Sequence, residues 1–104
     1  MAAQKKIRIH PGEILREEFL LPFGISAHRL AISLDLPPKR ISAIVNGDRA
    51  ITADIAILLG RAFQTTPEFW INLQIHHDLE KAKTAVSAAC MRRASMLAKS
   101  LHLT

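Results

Sequence analysis

Residues 26–49, SAHRLAISLDLPPKRISAIVNGDR, read as two helices of about eight residues around a turn of about three or four. Ser26 is a good N-cap for the first, Ala27–Leu34, because its hydroxyl can accept from the free N–H groups of a first turn. Asp35-Leu36-Pro37 is the turn. Pro38 opens the second helix, and Asn46-Gly47 closes it, since both residues tolerate the left-handed cap conformation. Leu30, Leu34, Ile41 and Ile44 supply apolar contacts, and Ala31 is small enough to let two helices approach closely. Helices this short cannot bury their own faces. The pair therefore requires further helices around it, and that requirement constrains the rest of the chain.

The flanking segments meet it. Pro11 suits a first helical position, Glu13, Glu17 and Glu18 follow, Ile14, Leu15 and Phe19 share a face, and Pro22 and Gly24 stop this helix near Leu21. Thr52 caps a fourth helix, in which Ile55, Leu58, Leu59 and Phe63 are spaced for burial. Thr65-Thr66-Pro67-Glu68 starts a fifth, either with a cap at Thr66 or with a capping box from Thr65 to Glu68, and no Gly or Pro stops it. No segment combines alternation with β-branched enrichment, so the expected fold is all-α. The 104 residues suit one domain, and 49% hydrophobic with 22% charged residues excludes wholesale disorder. The expected organisation is a basic N-terminal arm at 1–10, a five-helix domain at 11–84 and a basic, helical C-terminal extension at 85–104.

Two short helices around a tight turn, seated on flanking helices, form the helix-turn-helix layout, whose second helix lies in the DNA major groove. Here that helix presents Lys39, Arg40, Ser42 and Ala43 outward near its N-terminus, where the helix dipole attracts phosphate. Arg forks onto a guanine edge, while Lys and Ser serve bases or phosphates. Asn46, Gly47 and Arg49 suit backbone-phosphate contacts, and Ser26 and Arg29 suit the flanking strand. The net charge of +5 and the pI near 10.0 fit a polyanionic partner, but most of that charge lies outside the motif. Lys5, Lys6 and Arg8 carry the arm; Lys81, Lys83, Arg92, Arg93 and Lys99 carry the C-terminal end, which holds no acid. The body between them is net acidic, with 26–49 a local basic island. The DNA reading thus rests on the motif.

With HPGEIL at 10–15, RLAISLDLPPKRISAIVNGDR at 29–49, ITADIAILLGRAF at 51–63 and TTPEFWINLQIHHDL at 65–79, the sequence resembles the HigA-type, or VapI-type, antitoxins of the XRE (lambda-repressor-like) helix-turn-helix superfamily. The resemblance covers about residues 8–83 and rests on the combination of these stretches. It implies a five-helix lambda-repressor-like domain. It also implies a DNA-binding homodimer that represses its own toxin–antitoxin operon and neutralises a RelE-like, ribosome-dependent mRNA-cleaving toxin. By position it points to Pro38, Lys39, Arg40 and Ala43 for DNA reading, with Asn46 and Arg49 toward the backbone. The chain departs from some relatives at Pro37-Pro38, which removes two N–H groups, and at Ala43, which offers only a methyl contact to thymine. A stand-alone, phage-type XRE regulator with no toxin partner shares the same fold.

On a wheel of ~100° per residue, the fifth helix carries two apolar arcs. Phe69, Trp70 and Leu73 suit the domain's own core; Ile71, Ile75, Leu79, Ala82 and Val86 have no obvious partner within so small a domain. An exposed apolar patch marks an interface, so this second arc is the expected two-fold dimer contact, unless the extension folds back over it. Two half-sites ~34 Å apart would then be read together. His76, His77 and Asp78 are adjacent on a helix, cannot easily chelate together, and read as surface residues; His10 reads as a local structural contact. The single Cys90 permits neither an intramolecular disulfide nor a Cys-based zinc site. No catalytic grouping or phosphate loop is present, so no enzyme, metal, cofactor or small-molecule substrate is expected. No apolar run reaches the ~20 residues of a membrane span, and the N-terminal stretch lacks a leader's apolar segment, so a cytoplasmic protein is expected.

Overall fold

Helices begin where a side chain can answer the free N–H groups of a first turn. The computed structural model describes residues 9–103; most of the expected basic arm, Lys5, Lys6 and Arg8 included, lies outside the described residues. Six helices follow in order. α1 comprises Pro11–Ile14, Leu15–Leu20 and Leu21–Phe23 in unbroken succession; α2 is Ala27–Ser33, α3 Pro38–Val45, α4 Ala53–Phe63, α5 Pro67–Ala85 and α6 Ala88–Ser100. No strand occurs among the described residues. Capping side chains open four of the six. His10 Nδ1 accepts from Gly12 N–H at 2.9 Å, Ser26 Oγ from Arg29 N–H at 3.0 Å, Thr66 Oγ1 from Phe69 N–H at 3.1 Å, and Ser87 Oγ from Cys90 N–H at 3.1 Å.

Two helix ends differ from the sequence expectation. The middle of α1 is π-helical, with Leu21 N–H bonded to the Arg16 carbonyl five residues back. That wider winding brings Leu15 and Leu20 onto the buried face together. In a regular α-helix residues five apart diverge by ~140°, so the periodicity selects Leu15 and passes over Leu20. The wide turn directly precedes Pro22, whose ring would otherwise meet the carbonyl four residues back. The helix continues to Phe23 and ends on Gly24 with φ 67°, rather than near Leu21. The second difference is the end of α5. No Gly or Pro marks it; Val86 turns extended and Ser87 caps a separate helix.

The core joins α1–α5. Leu15 and Leu20, Leu30 and Ala31, Ile41 and Ile44, Ile55, Ala56 and Leu59, Trp70, and Ile51 from the α3–α4 loop are all buried. The Trp70 indole N–H donates to Thr65 Oγ1 at 2.8 Å, and Phe19 and Phe69 pack against its ring. Gln74 is buried among these apolar groups with both ends satisfied: Oε1 accepts from Ile51 N–H at 2.8 Å, and Nε2 donates to Asp78 Oδ1 at 2.9 Å. It ties α5 to the segment that leaves α3. α6 contributes no buried residue. The Cα radius of gyration is accordingly 17.8 Å, against about 13 Å for a compact chain of this length.

α1 reaches α3 through Gly12. A Cβ there would stand 1.7 Å from the Ile44 carbonyl oxygen, a backbone atom that no rotamer change can move aside. Gly12→Ala is therefore expected to lower unfolding stability by at least about 1–3 kcal/mol in urea titration, and an unchanged midpoint would refute this contact.

Candidate nucleic-acid interface

α3 is amphipathic over two turns. Ile41 and Ile44 are fully buried, and on the opposite side Lys39, Ala43 and Asn46 follow at i, i+4 and i+7, forming one outward stripe. Lys39, Asn46 and Pro38 are exposed; Ser42 and Ala43 beside them are half-buried. The Ser42 hydroxyl donates to the Lys39 carbonyl at 3.3 Å. Ser26 and Arg29 are exposed at the start of α2, where the Ser26 hydroxyl is engaged as the cap. Gly47 closes α3 with φ 82°, whereas Asn46 before it keeps right-handed backbone.

Arg40 does not point straight outward. It lies on the flank of α3, and its guanidinium reaches the start of α4. Nη2 donates to Asp54 Oδ2 at 3.0 Å and to Thr52 Oγ1 at 3.2 Å, and the Thr52 hydroxyl donates to Asp54 Oδ1. Thr52 consequently makes no side-chain cap bond to α4. The Thr52 hydroxyl and then the Arg40 guanidinium hold the Asp54 carboxyl below the usual carboxylate range. Thr52 and Asp54 are the site residues that sequence reading missed. Thr52 looked like an ordinary cap, and nothing local in the sequence shows that Asp54 meets a residue 14 positions earlier.

Arg49 is exposed in the loop after α3 and lines one cleft with Arg40, Ala50 and Thr52, which places the two arginines together. On its other side the loop meets His10, whose ring lies edge-on to His77 with centroids 4.9 Å apart. His10 is thus the local structural contact the sequence suggests, while His77 is half-buried rather than superficial. Burial lowers the His10 pKa from 6.5, and His77 and Lys81 add to this; Asp78 and the Arg49 backbone act in the opposite direction. No group of three His, Cys, Asp or Glu able to hold a metal occurs among the described residues. No helix among them is long and apolar enough to cross a membrane.

The second arc of α5 divides. Ile71 is half-buried against the core, whereas Ile75, Leu79, Ala82 and Val86 are exposed. α6 leaves them uncovered and adds exposed Met91, Met96, Leu97 and Leu101 of its own.

The description of the helix-turn-helix family matches residues 15–70, more than half of the chain. The chain belongs to the helix-turn-helix family. Within it stand Virulence-associated protein I of Dichelobacter nodosus, 52% identical over 75 residues that span 72% of this chain and 69% of the relative, and Antitoxin HigA-1 of Vibrio cholerae, 39% identical over 79 residues that span 76% and 74%. The solved structure of Pseudomonas aeruginosa antitoxin HigA with the higBA promoter superposes with a TM-score of 0.74 at 49% identity, covering 75% of this chain and 85% of that one. The HigA-type and VapI-type resemblance is therefore family membership.

In this helix-turn-helix chain the cap of α1 also sets a pH dependence. The cap bond needs a neutral Nδ1, and the lowered pKa means that the fold favours neutral His10. Its contribution is complete above pH 6.5 and is lost as pH falls from there toward the folded-state pKa. His10→Asn keeps a capping acceptor and does not titrate. Thermal melts from pH 7.5 to 5.5 should fall more steeply for the wild type than for this variant; parallel curves would refute the assignment.

Proposed function

We propose that this chain is a sequence-specific repressor of its own operon and the antitoxin of a type II, HigBA-type toxin–antitoxin system, neutralising a RelE-like mRNA-cleaving toxin. The observation that carries the DNA reading is α3, a two-turn helix packed through its own Ile41 and Ile44, whose far side carries Lys39, Ala43 and Asn46 with Lys39 and Asn46 exposed. Lys39, Arg40, Ser42 and Ala43, with Pro38 at the entry, face the major groove in this reading; Asn46 and Arg49 hold one phosphate backbone, and Ser26 and Arg29 the flanking strand. Family relatives named as antitoxins, one of them solved with promoter DNA, support the same assignment.

The body at 11–84 reads DNA, and the arm at 1–10 and extension at 85–104 flank it with positive charge. Two copies meet through Ile75, Leu79, Ala82 and Val86, with Ile71 at the inner edge, so that two α3 helices address successive turns of the duplex. The chain works by binding rather than catalysis, in the cytoplasm, on operator DNA and on the toxin.

Binding to a duplex from the promoter region of its own gene tests the DNA reading. The double change Lys39→Ala, Arg40→Ala is expected to weaken binding about 10–100-fold and, by removing two positive charges, to make it less salt-sensitive. Unchanged affinity would refute the assignment of α3. Sedimentation at micromolar concentration should give twice the chain mass for the wild type and a monomer for Leu79→Asp; a monomeric wild type sinks the dimer. The toxin is tested by co-expressing the small reading frame beside the gene. Relief of its toxicity together with co-purification is expected, and a gene without such a neighbour marks a stand-alone XRE regulator.

A further inference from the structure

We infer that Asp54 is a positioning residue for DNA reading: together with Thr52 it grips the Arg40 guanidinium by one nitrogen and holds the remaining donors toward a base edge. The inference rests on the DNA-binding reading above. Both bonds from Arg40 to α4 use Nη2, and among the described residues neither Nη1 nor Nε finds an acceptor. A guanidinium carries five N–H donors on one rigid plane. Fixing Nη2 between two acceptors therefore fixes where the others point. A free arginine would lose rotamer freedom on meeting DNA; this one has lost it already.

The arrangement contributes little to the fold: the Asp54 side chain is 63% exposed and that of Arg40 26%, and an ion pair open to water on one side adds little stability. Thr52 stands at the cap position of α4 yet turns its hydroxyl to Arg40 and Asp54 instead of to the helix N–H groups. Asp54 also places a negative charge against Arg40, which shares a cleft with Arg49, and on charge alone it would repel phosphate there. An acid in that place is unfavourable for indiscriminate DNA binding and useful for orienting an arginine.

The two roles predict opposite signs. Were Asp54 only a repelling charge, Asp54→Asn would raise affinity for every duplex by the same factor. As a positioning residue, its loss lowers affinity for a duplex from the chain's own promoter about tenfold and leaves a scrambled duplex of equal length and composition unchanged or bound more tightly. The promoter-to-scrambled ratio, measured on the full chain at one salt concentration, should thus fall at least about tenfold. In an Arg40→Ala background the same Asp54→Asn change should no longer lower the ratio, because Asp54 acts through Arg40. A ratio that is unchanged or raised, or one that falls equally without Arg40, overturns the inference. Thermal melts check that the variant folds, and Thr52→Ala, which removes the other acceptor, should lower the ratio in the same direction. A wild type that shows no preference for the promoter duplex fails the DNA-binding reading itself; a preference that survives Asp54→Asn fails only the role of Asp54.

Discussion

Where α3 sits is decided by the approach of two backbones. Gly12 lies against the Ile44 carbonyl with no room for a side chain, so the first helix touches the last turn of α3 directly. α3 spans eight residues and has no side-chain cap at Pro37. It owes its place to Gly12 behind its C-terminal end, to its own Ile41 and Ile44 buried in the core, and to Gln74 holding Ile51 just beyond it. A helix fixed from three sides transmits its orientation to the outward stripe. That is what a surface meant to match a groove requires.

Much of this was legible in the chain, and the exceptions share a cause. The caps at Ser26 and Thr66, the burial of Leu30, Ala31, Ile41, Ile44, Ile55 and Leu59, and the closure at Gly47 all follow from residue type at local spacing. Leu20 escaped because a π-turn alters the period on which such reasoning depends. The start of α6 escaped because a serine after an extended valine does what Gly or Pro was expected to do. Gln74, Thr52 and Asp54 escaped for a different reason. Their partners are 23, 12 and 14 residues away, and a polar side chain does not announce a distant partner in its neighbours.

Charge follows the same division between local and distant. The strongly basic ends dominate the net charge, yet the basic island on α2 and α3 is small, and one of its arginines is already matched by a carboxylate. On the proposed reading, long-range attraction to a polyanion and close-range selection belong to different parts of the chain. Salt screens charges beyond ~8–10 Å, so attraction by the basic ends would weaken as salt rises.

α6 stands outside this economy of mutual support. It is 13 residues long and buries none of them, and a helix of that length is marginal in water when nothing packs against it. Its helicity is thus set by whether its apolar side is occupied. Far-ultraviolet circular dichroism and amide exchange at Met91–Leu101 are therefore the readouts in which covering of that face would register.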